Sequence, residues 1–193
     1  MSSEVLFTLL IAAVGIERLA ELVVSKRNAA WAAQRGGVET GAGHYPFMVV
    51  LHTGFLLGAL IEVWVRRPDV APLLAWSMLV LAVASQALRW WCISTLGPRW
   101  NTRVIVVPGL PLVAGGPYRY FRHPNYVAVV LEGIALPLVG GAWITALVFT
   151  VLNAGLLRVR IGTEERALDA APLAPQQQPP QPPQPSQPSQ DAR

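Results

Sequence analysis

The chain has little of what holds soluble domains and metal centres together. One cysteine, Cys92, in 193 residues excludes an internal disulfide. Three histidines, His44, His52 and His123, lie far apart, so a metal site has little material and none is expected. Charged residues make up only 13% of the chain against 53% hydrophobic, which excludes an ordinary soluble domain of this length and reads as an integral membrane protein. The net charge is +4, and the basic residues are spread over loops without a basic run. That fits sorting across a bilayer and speaks against nucleic acid as a partner. No basic leader precedes the first apolar run, which opens after Met1-Ser2-Ser3-Glu4 and continues too long for a cleavable signal peptide.

What is present is a series of apolar segments. Residues 5–24 suffice for a hydrocarbon core that takes about 20 residues. They carry Glu17, Arg18 and Glu21, spaced so that the carboxylates share a helix face with the guanidinium in reach, which is costly toward lipid but tolerable toward a polar interior or a headgroup; the favoured reading is an interfacial ion-pair cluster near the helix end. Residues 25–43, with Lys26, Arg27, Arg35 and Glu39, read as a loop or amphipathic connector. In a second span, 45–65, Gly54 and Gly58 give a GxxxG pair for close packing within the chain or between copies, and His52 reads as a hydrogen-bonded packing residue. Arg66-Arg67-Pro68-Asp69 makes a tight turn. A third span, 72–93, closes on Arg89-Trp90-Trp91, read as an interface belt. A loop of about thirty residues follows, 94–123, with Arg99, Arg103, Arg119, Arg122 and the apolar run Val104-Ile105-Val106-Val107-Pro108; loops of such length are usually functional.

Runs 125–139 and 142–157 each fall short of a full span. They form a helical hairpin turned at Gly140-Gly141, either crossing a thinned bilayer steeply or dipping in and returning. Beyond it the stretch from Arg158 through Arg160, Glu164 and Glu165 to Arg166 continues as a polar helix. Residues 171–193, almost purely Pro, Gln, Ser and Ala, cannot build a core and are expected to form a disordered tail. The expectation is an all-α integral membrane protein of about five transmembrane or hairpin helices in one domain, residues 1–170. Lys26, Arg27, Arg35, the four loop arginines, Arg158, Arg160 and Arg166 share one side against Arg66 and Arg67 opposite, which puts the loop in the cytoplasm and the N-terminus outside.

The chemistry concentrates in Gly115-Gly116-Pro117-Tyr118-Arg119-Tyr120-Phe121-Arg122-His123-Pro124-Asn125-Tyr126. A residue before proline leaves the helical region, so Arg122-His123 forms a turn that introduces a helix at Pro124. Such a helix mouth offers unpaired N–H groups and a positive dipole end to an anionic or polar ligand. The glycines allow close backbone approach, the tyrosines offer faces and hydroxyls, and His123 can donate or accept. Glu164-Glu165, returned to this side by the hairpin, can bind ribose hydroxyls or an ammonium, or form a solvated helix paired with Arg160 or Arg166.

The pattern Gly-Pro-Tyr-Arg-Tyr-x-Arg-His-Pro-Asn-Tyr at 116–126, followed by a short hairpin and Arg160-x-x-x-Glu164-Glu165-Arg166, resembles the isoprenylcysteine carboxyl methyltransferase family. Within it, Trp100-Asn101-Thr102-Arg103-Val104-Ile105-Val106 is similar to the small bacterial members. The resemblance implies a membrane enzyme that binds S-adenosylmethionine in a cytoplasmic pocket and receives a lipophilic acceptor laterally from the bilayer. It assigns Gly116, Tyr118, His123, Pro124, Tyr126, Glu164 and Glu165 to the cofactor, and Arg160, with Tyr126, to catalysis by orienting the acceptor's anionic oxygen. The acceptor is expected to be a carboxylate or acidic hydroxyl on an apolar chain, isoprenylcysteine-like or a long-chain polyketide such as an alkylpyrone. Phospholipid N-methyltransferases and NADPH-dependent sterol-type reductases share parts of the signature and stand as alternatives.

Overall fold

Five α-helices account for most of the residues described in the computed structural model, which covers residues 2–171. The expected tail lies, apart from Ala171, outside the described residues. Where hydropathy ends the first helix near residue 24, α1 runs on from Ser3 to Ala33, about 46 Å at 1.5 Å per residue. The extension fails to read as a span because its polar side chains bind protein. Asn28 Nδ2 donates to the carbonyls of Gly97 (3.1 Å) and Trp100 (2.7 Å), and the Ser25 hydroxyl meets Asn101 and Thr102, each at 2.8 Å.

Helices α2 (Tyr45–Arg66) and α3 (Pro72–Leu96) follow, then α4 (Pro124–Val139) and α5 (Trp143–Ala170). Three of these, α2, α3 and α5, are long and apolar enough to cross a membrane. The protein is an all-α integral membrane protein. Exposed apolar side chains such as Leu9, Ile16, Val50, Ile61, Val80 and Val151 form its outer face, and Phe7, Ile11, Phe55, Val63, Val129, Leu136 and Phe149 its core.

The long loop holds a strand that hydropathy alone does not show. Val38–Thr40 (β1) pairs antiparallel with Val104–Val106 (β2), with Glu39 opposite Ile105. Arg103 braces this ribbon, holding Glu39 at 3.1 Å and lying over the Tyr45 ring.

The hairpin tip reaches the far end of the bundle. A Cβ on Gly140 would meet Phe7 and Val63, and one on Gly141 would meet Val70 and Pro68. The 66–72 turn and the hairpin tip thus share one end, while the ribbon, the 97–123 segment and the end of α5 share the other. The tip is fastened by Glu62 of α2, which accepts from the backbone N–H groups of Ile144 (3.1 Å) and Thr145 (2.8 Å) and from the Thr145 hydroxyl (2.8 Å). It satisfies the orphan donors of α5, whose own N-cap residue, Ala142, has no side chain to do so. Of the GxxxG pair, only Gly58 touches another helix, at Thr145; a Cβ on Gly54 would meet nothing. The close helix approach is instead at Gly133, where an added Cβ would run into the Phe149 ring.

Two readings of charged residues are corrected. Glu17, Arg18 and Glu21 are not an interfacial cluster, and Arg89 is not part of an aromatic belt: all four join a network between α1, α3 and α4. Arg18 bonds Glu21 (2.6 Å), Glu132 (2.9 Å) and Gln86 (2.9 Å), while Arg89, only 5% exposed, bonds Glu132 and stands 3.6 Å from Glu21. Glu17 accepts from Gln86 and Trp90, each at 2.5 Å. Trp90 and Trp91 themselves are exposed, as a belt requires. His52 is a packing residue as expected, with Nδ1 2.9 Å from the Met48 carbonyl and its ring edge-on to Phe149.

Candidate functional site

Proline creates the site's entry. Gly116–Arg119 forms a single tight helical turn, His123 is extended away from helical geometry (φ −131°, ψ 62°), and Pro124 starts α4 with a φ its ring fixes in advance. Tyr126 then faces inward one turn on, and its ring stacks on His123 at 5.5 Å. The uninterrupted α5 brings Arg160, Glu164 and Glu165 across from them at helical spacing.

Between these elements and residues 96–114 lies a cavity of about 430 Å³, within the range of small-molecule sites. Its polar lining includes Tyr118, His123, Tyr126, Arg160, Glu164 and Glu165, all expected from the sequence, and also Asp169 and Asn125, which were not. Its apolar wall comes from Val104–Val106 and the segment that follows as far as Ala114. Two expected residues stand elsewhere. Gly116 (φ +53°) is pressed against α3, where a Cβ would be 2.4 Å from the Thr95 hydroxyl, so its glycine serves close packing and backbone conformation. Pro124 is fully buried and shapes the helix start; neither lines the cavity.

The polar groups are ordered by one phenol. Tyr126 Oη accepts from Arg160 Nε (2.9 Å) and donates to Glu164. The Arg160 guanidinium, 5% exposed, has no carboxylate within ion-pairing distance among the described residues; its other bond goes to the Met48 thioether at 3.0 Å. The expected alternative, an Arg160–Glu pair on a solvated helix, does not form, and Arg166 caps the Gly162 carbonyl instead. His123 lies between the two carboxylates, Nδ1 3.6 Å from Glu164 and Nε2 3.4 Å from Glu165. The Glu164 carboxylate beside its ring holds the imidazole above its ordinary value, against burial, which lowers it. Burial pushes the Tyr118 hydroxyl well up, so it stays neutral.

Met48 and the apolar wall at 110–114 escape a sequence reading. A lone methionine within an apolar helix carries no signal, and the wall gains meaning only once the ribbon folds it over α5.

The arrangement brings a buried cation, two phenols, an imidazole and the Glu164 and Glu165 carboxylates to one cavity beside apolar helices. That donor set suits a ligand with both polar and apolar parts. A sequence model of the isoprenylcysteine carboxyl methyltransferase (ICMT) family matches residues 78–170, which include every one of these polar groups. The chain is 38% identical over 165 residues to an uncharacterized protein, YpbQ, of Bacillus subtilis, covering 84% of this chain and 96% of the relative. It is 26% identical over 154 residues to an uncharacterized protein of Haemophilus influenzae, covering 78% and 88%. No solved structure matches the chain. With its spans, its site residues within the matched region and a relative aligned over nearly its whole length, the chain belongs to the isoprenylcysteine carboxyl methyltransferase family of membrane proteins.

Proposed function

We propose that the protein is an S-adenosylmethionine-dependent O-methyltransferase acting on a carboxylate or acidic hydroxyl of a lipophilic acceptor that enters from the bilayer. The observation that carries this reading is Arg160: a buried guanidinium facing a cavity without a carboxylate partner among the described residues. Leaving such a charge unneutralised is costly, and an anionic oxygen on the ligand relieves the cost. The donor set also fits the cofactor, since Glu164 and Glu165 supply acceptors for hydroxyl or ammonium groups. Bound there, S-adenosylmethionine supplies an electrophilic methyl group.

The chain's own part is positioning. Arg160, fixed by Tyr126 and Met48, orients the acceptor oxygen, which needs no strong base if it arrives ionised. The apolar wall excludes water from that oxygen. Orientation of this kind is worth up to about 7–11 kcal/mol of barrier in well-aligned pairs. We place the cavity end of the bundle in the cytoplasm and the N-terminus outside, on the excess of basic residues at that end.

Calorimetry on the purified protein tests the reading. S-adenosylmethionine should bind saturably and NADPH should not, and His123→Ala should weaken the cofactor at least several-fold. Arg160→Ala should spare cofactor binding while abolishing methylation of extracted lipids. Absence of saturable S-adenosylmethionine binding overturns it.

A further inference from the structure

Immediately before His123 the chain presents Arg119, Tyr120, Phe121 and Arg122, all exposed: Tyr120 is 69% and Phe121 52% accessible, and the Arg122 side chain is 87% accessible. A soluble surface would hide such an aromatic pair. Here it sits at the foot of α4, at the end of the bundle where the ribbon and the site lie. Two aromatics between two arginines suit the headgroup layer, where rings enter the interface and guanidiniums bind phosphate. Lys26, Arg27 and Arg158 are also exposed, and none of them is ion-paired with a carboxylate among the described residues.

Arg122 has one carboxylate neighbour, Glu165, at 4.0 Å, the outer limit of an ion pair. The same Glu165 oxygen is 3.4 Å from His123 Nε2. Arg122 stands at the rim of the same cavity. Glu165 is therefore shared between His123 within the cavity and an exposed arginine at its rim, and a pair so exposed is weak enough for a headgroup phosphate to displace.

We propose that the Arg119–Arg122 turn is a docking site for anionic phospholipid headgroups, and that a phosphate on Arg122 releases Glu165 to the cavity, so that anionic lipid tightens cofactor binding. The second half rests on the reading of the site given above; the first half does not. The occupant is a bilayer lipid, because the aromatic pair needs an apolar layer beside the phosphate.

The protein reconstituted in nanodiscs of phosphatidylcholine alone, or with about a third phosphatidylglycerol, tests both halves. Hydrogen exchange over residues 118–123 should slow in the anionic discs, and Arg119→Ala/Arg122→Ala should abolish that slowing. These side chains are at the surface, so the variant should fold. Calorimetry should show S-adenosylmethionine binding about three- to tenfold tighter in anionic discs, the scale of about one basic contact, with the gain shrinking at high salt. Arg122→Ala should bind equally in both discs, near the tighter value. Slowed exchange with unchanged cofactor affinity overturns the coupling. Equal exchange in both discs, or the same protection from inorganic phosphate in neutral discs, overturns the docking site. Loss of cofactor binding in every disc with lipid-dependent exchange intact would sink the functional reading and the coupling, but leave the docking site standing.

Discussion

Glu132 is the acid on which the buried network turns, and replacing it with leucine should be among the most damaging single changes in the chain. Its carboxylate holds Arg18 through two contacts, at 2.9 and 3.0 Å, and also bonds Arg89. Glu132→Leu would leave two guanidiniums with Glu21 as their nearest acid, one of them 95% buried. Two charge-assisted ion pairs at about 1.5–3 kcal/mol each give a loss of about 3–6 kcal/mol, which overlaps the roughly 3–5 kcal/mol lost when one partner of a buried pair is removed. Glu132→Gln, which keeps shape and an acceptor, should lose less. The measurement is reversible unfolding in mixed detergent micelles, run as a double-mutant cycle with Arg89→Leu. Because the double variant removes both charges, it should recover part of the loss, with a coupling of at least about 1 kcal/mol. A loss under about 1 kcal/mol for Glu132→Leu, or strict additivity with Arg89→Leu, would refute a network held by these contacts.

Three further outcomes follow from the same geometry. Glu62→Ala strips the start of α5 of its acceptors and should destabilise by about 1–2 kcal/mol, as for a lost helix cap, with raised hydrogen exchange at residues 143–146. Gly133→Ala places a Cβ against the Phe149 ring and should cost about 1–3 kcal/mol by overpacking, partly restored by Phe149→Leu. The raised His123 value makes stability pH-dependent. Its contribution should be fully present below the unfolded-state value of about 6.5 and fade as pH climbs through the higher folded-state value, so thermal midpoints should fall over that window and His123→Gln should flatten the fall.

Run lengths of apolar residues were enough to read α2, α3 and the glycine-turned hairpin, but not the reach of the other helices: α1 runs on to Ala33, and α5, read as too short for a span from residues 142–157, is a 28-residue helix long enough to cross. The start of α4 was equally legible, since proline constrains its own φ and its predecessor. Arg89 shows why charges were harder. It precedes Trp90 by one residue, but one residue is 100° around a helix, so a belt position and a core position are neighbours in sequence. Its partners lie 43 and 68 residues away. The ribbon was hidden for a related reason: two three-residue strands whose central residues, Glu39 and Ile105, are 66 positions apart carry no periodicity of their own. At the site, the residues expected from the turn and from the end of α5 face one cavity, because the turn before Pro124 sets His123 beside Tyr126 and helical spacing aligns Arg160 with Glu164. Gly116 and Pro124 fell outside it because the conformational needs of a turn and the needs of a binding wall select the same residue types.

The buried network also constrains how the chain is made. Helix α4 is 16 residues long and carries Glu132, so it is a poor substrate for independent insertion, where an acid at mid-helix costs about 2.5–3.5 kcal/mol. The arginines that neutralise it sit on α1 and α3, both of which leave the ribosome earlier. Synthesis from the N-terminus thus delivers the counter-charges to the membrane before the acid that needs them, and the glycine tip lets α4 and α5 enter together as one unit.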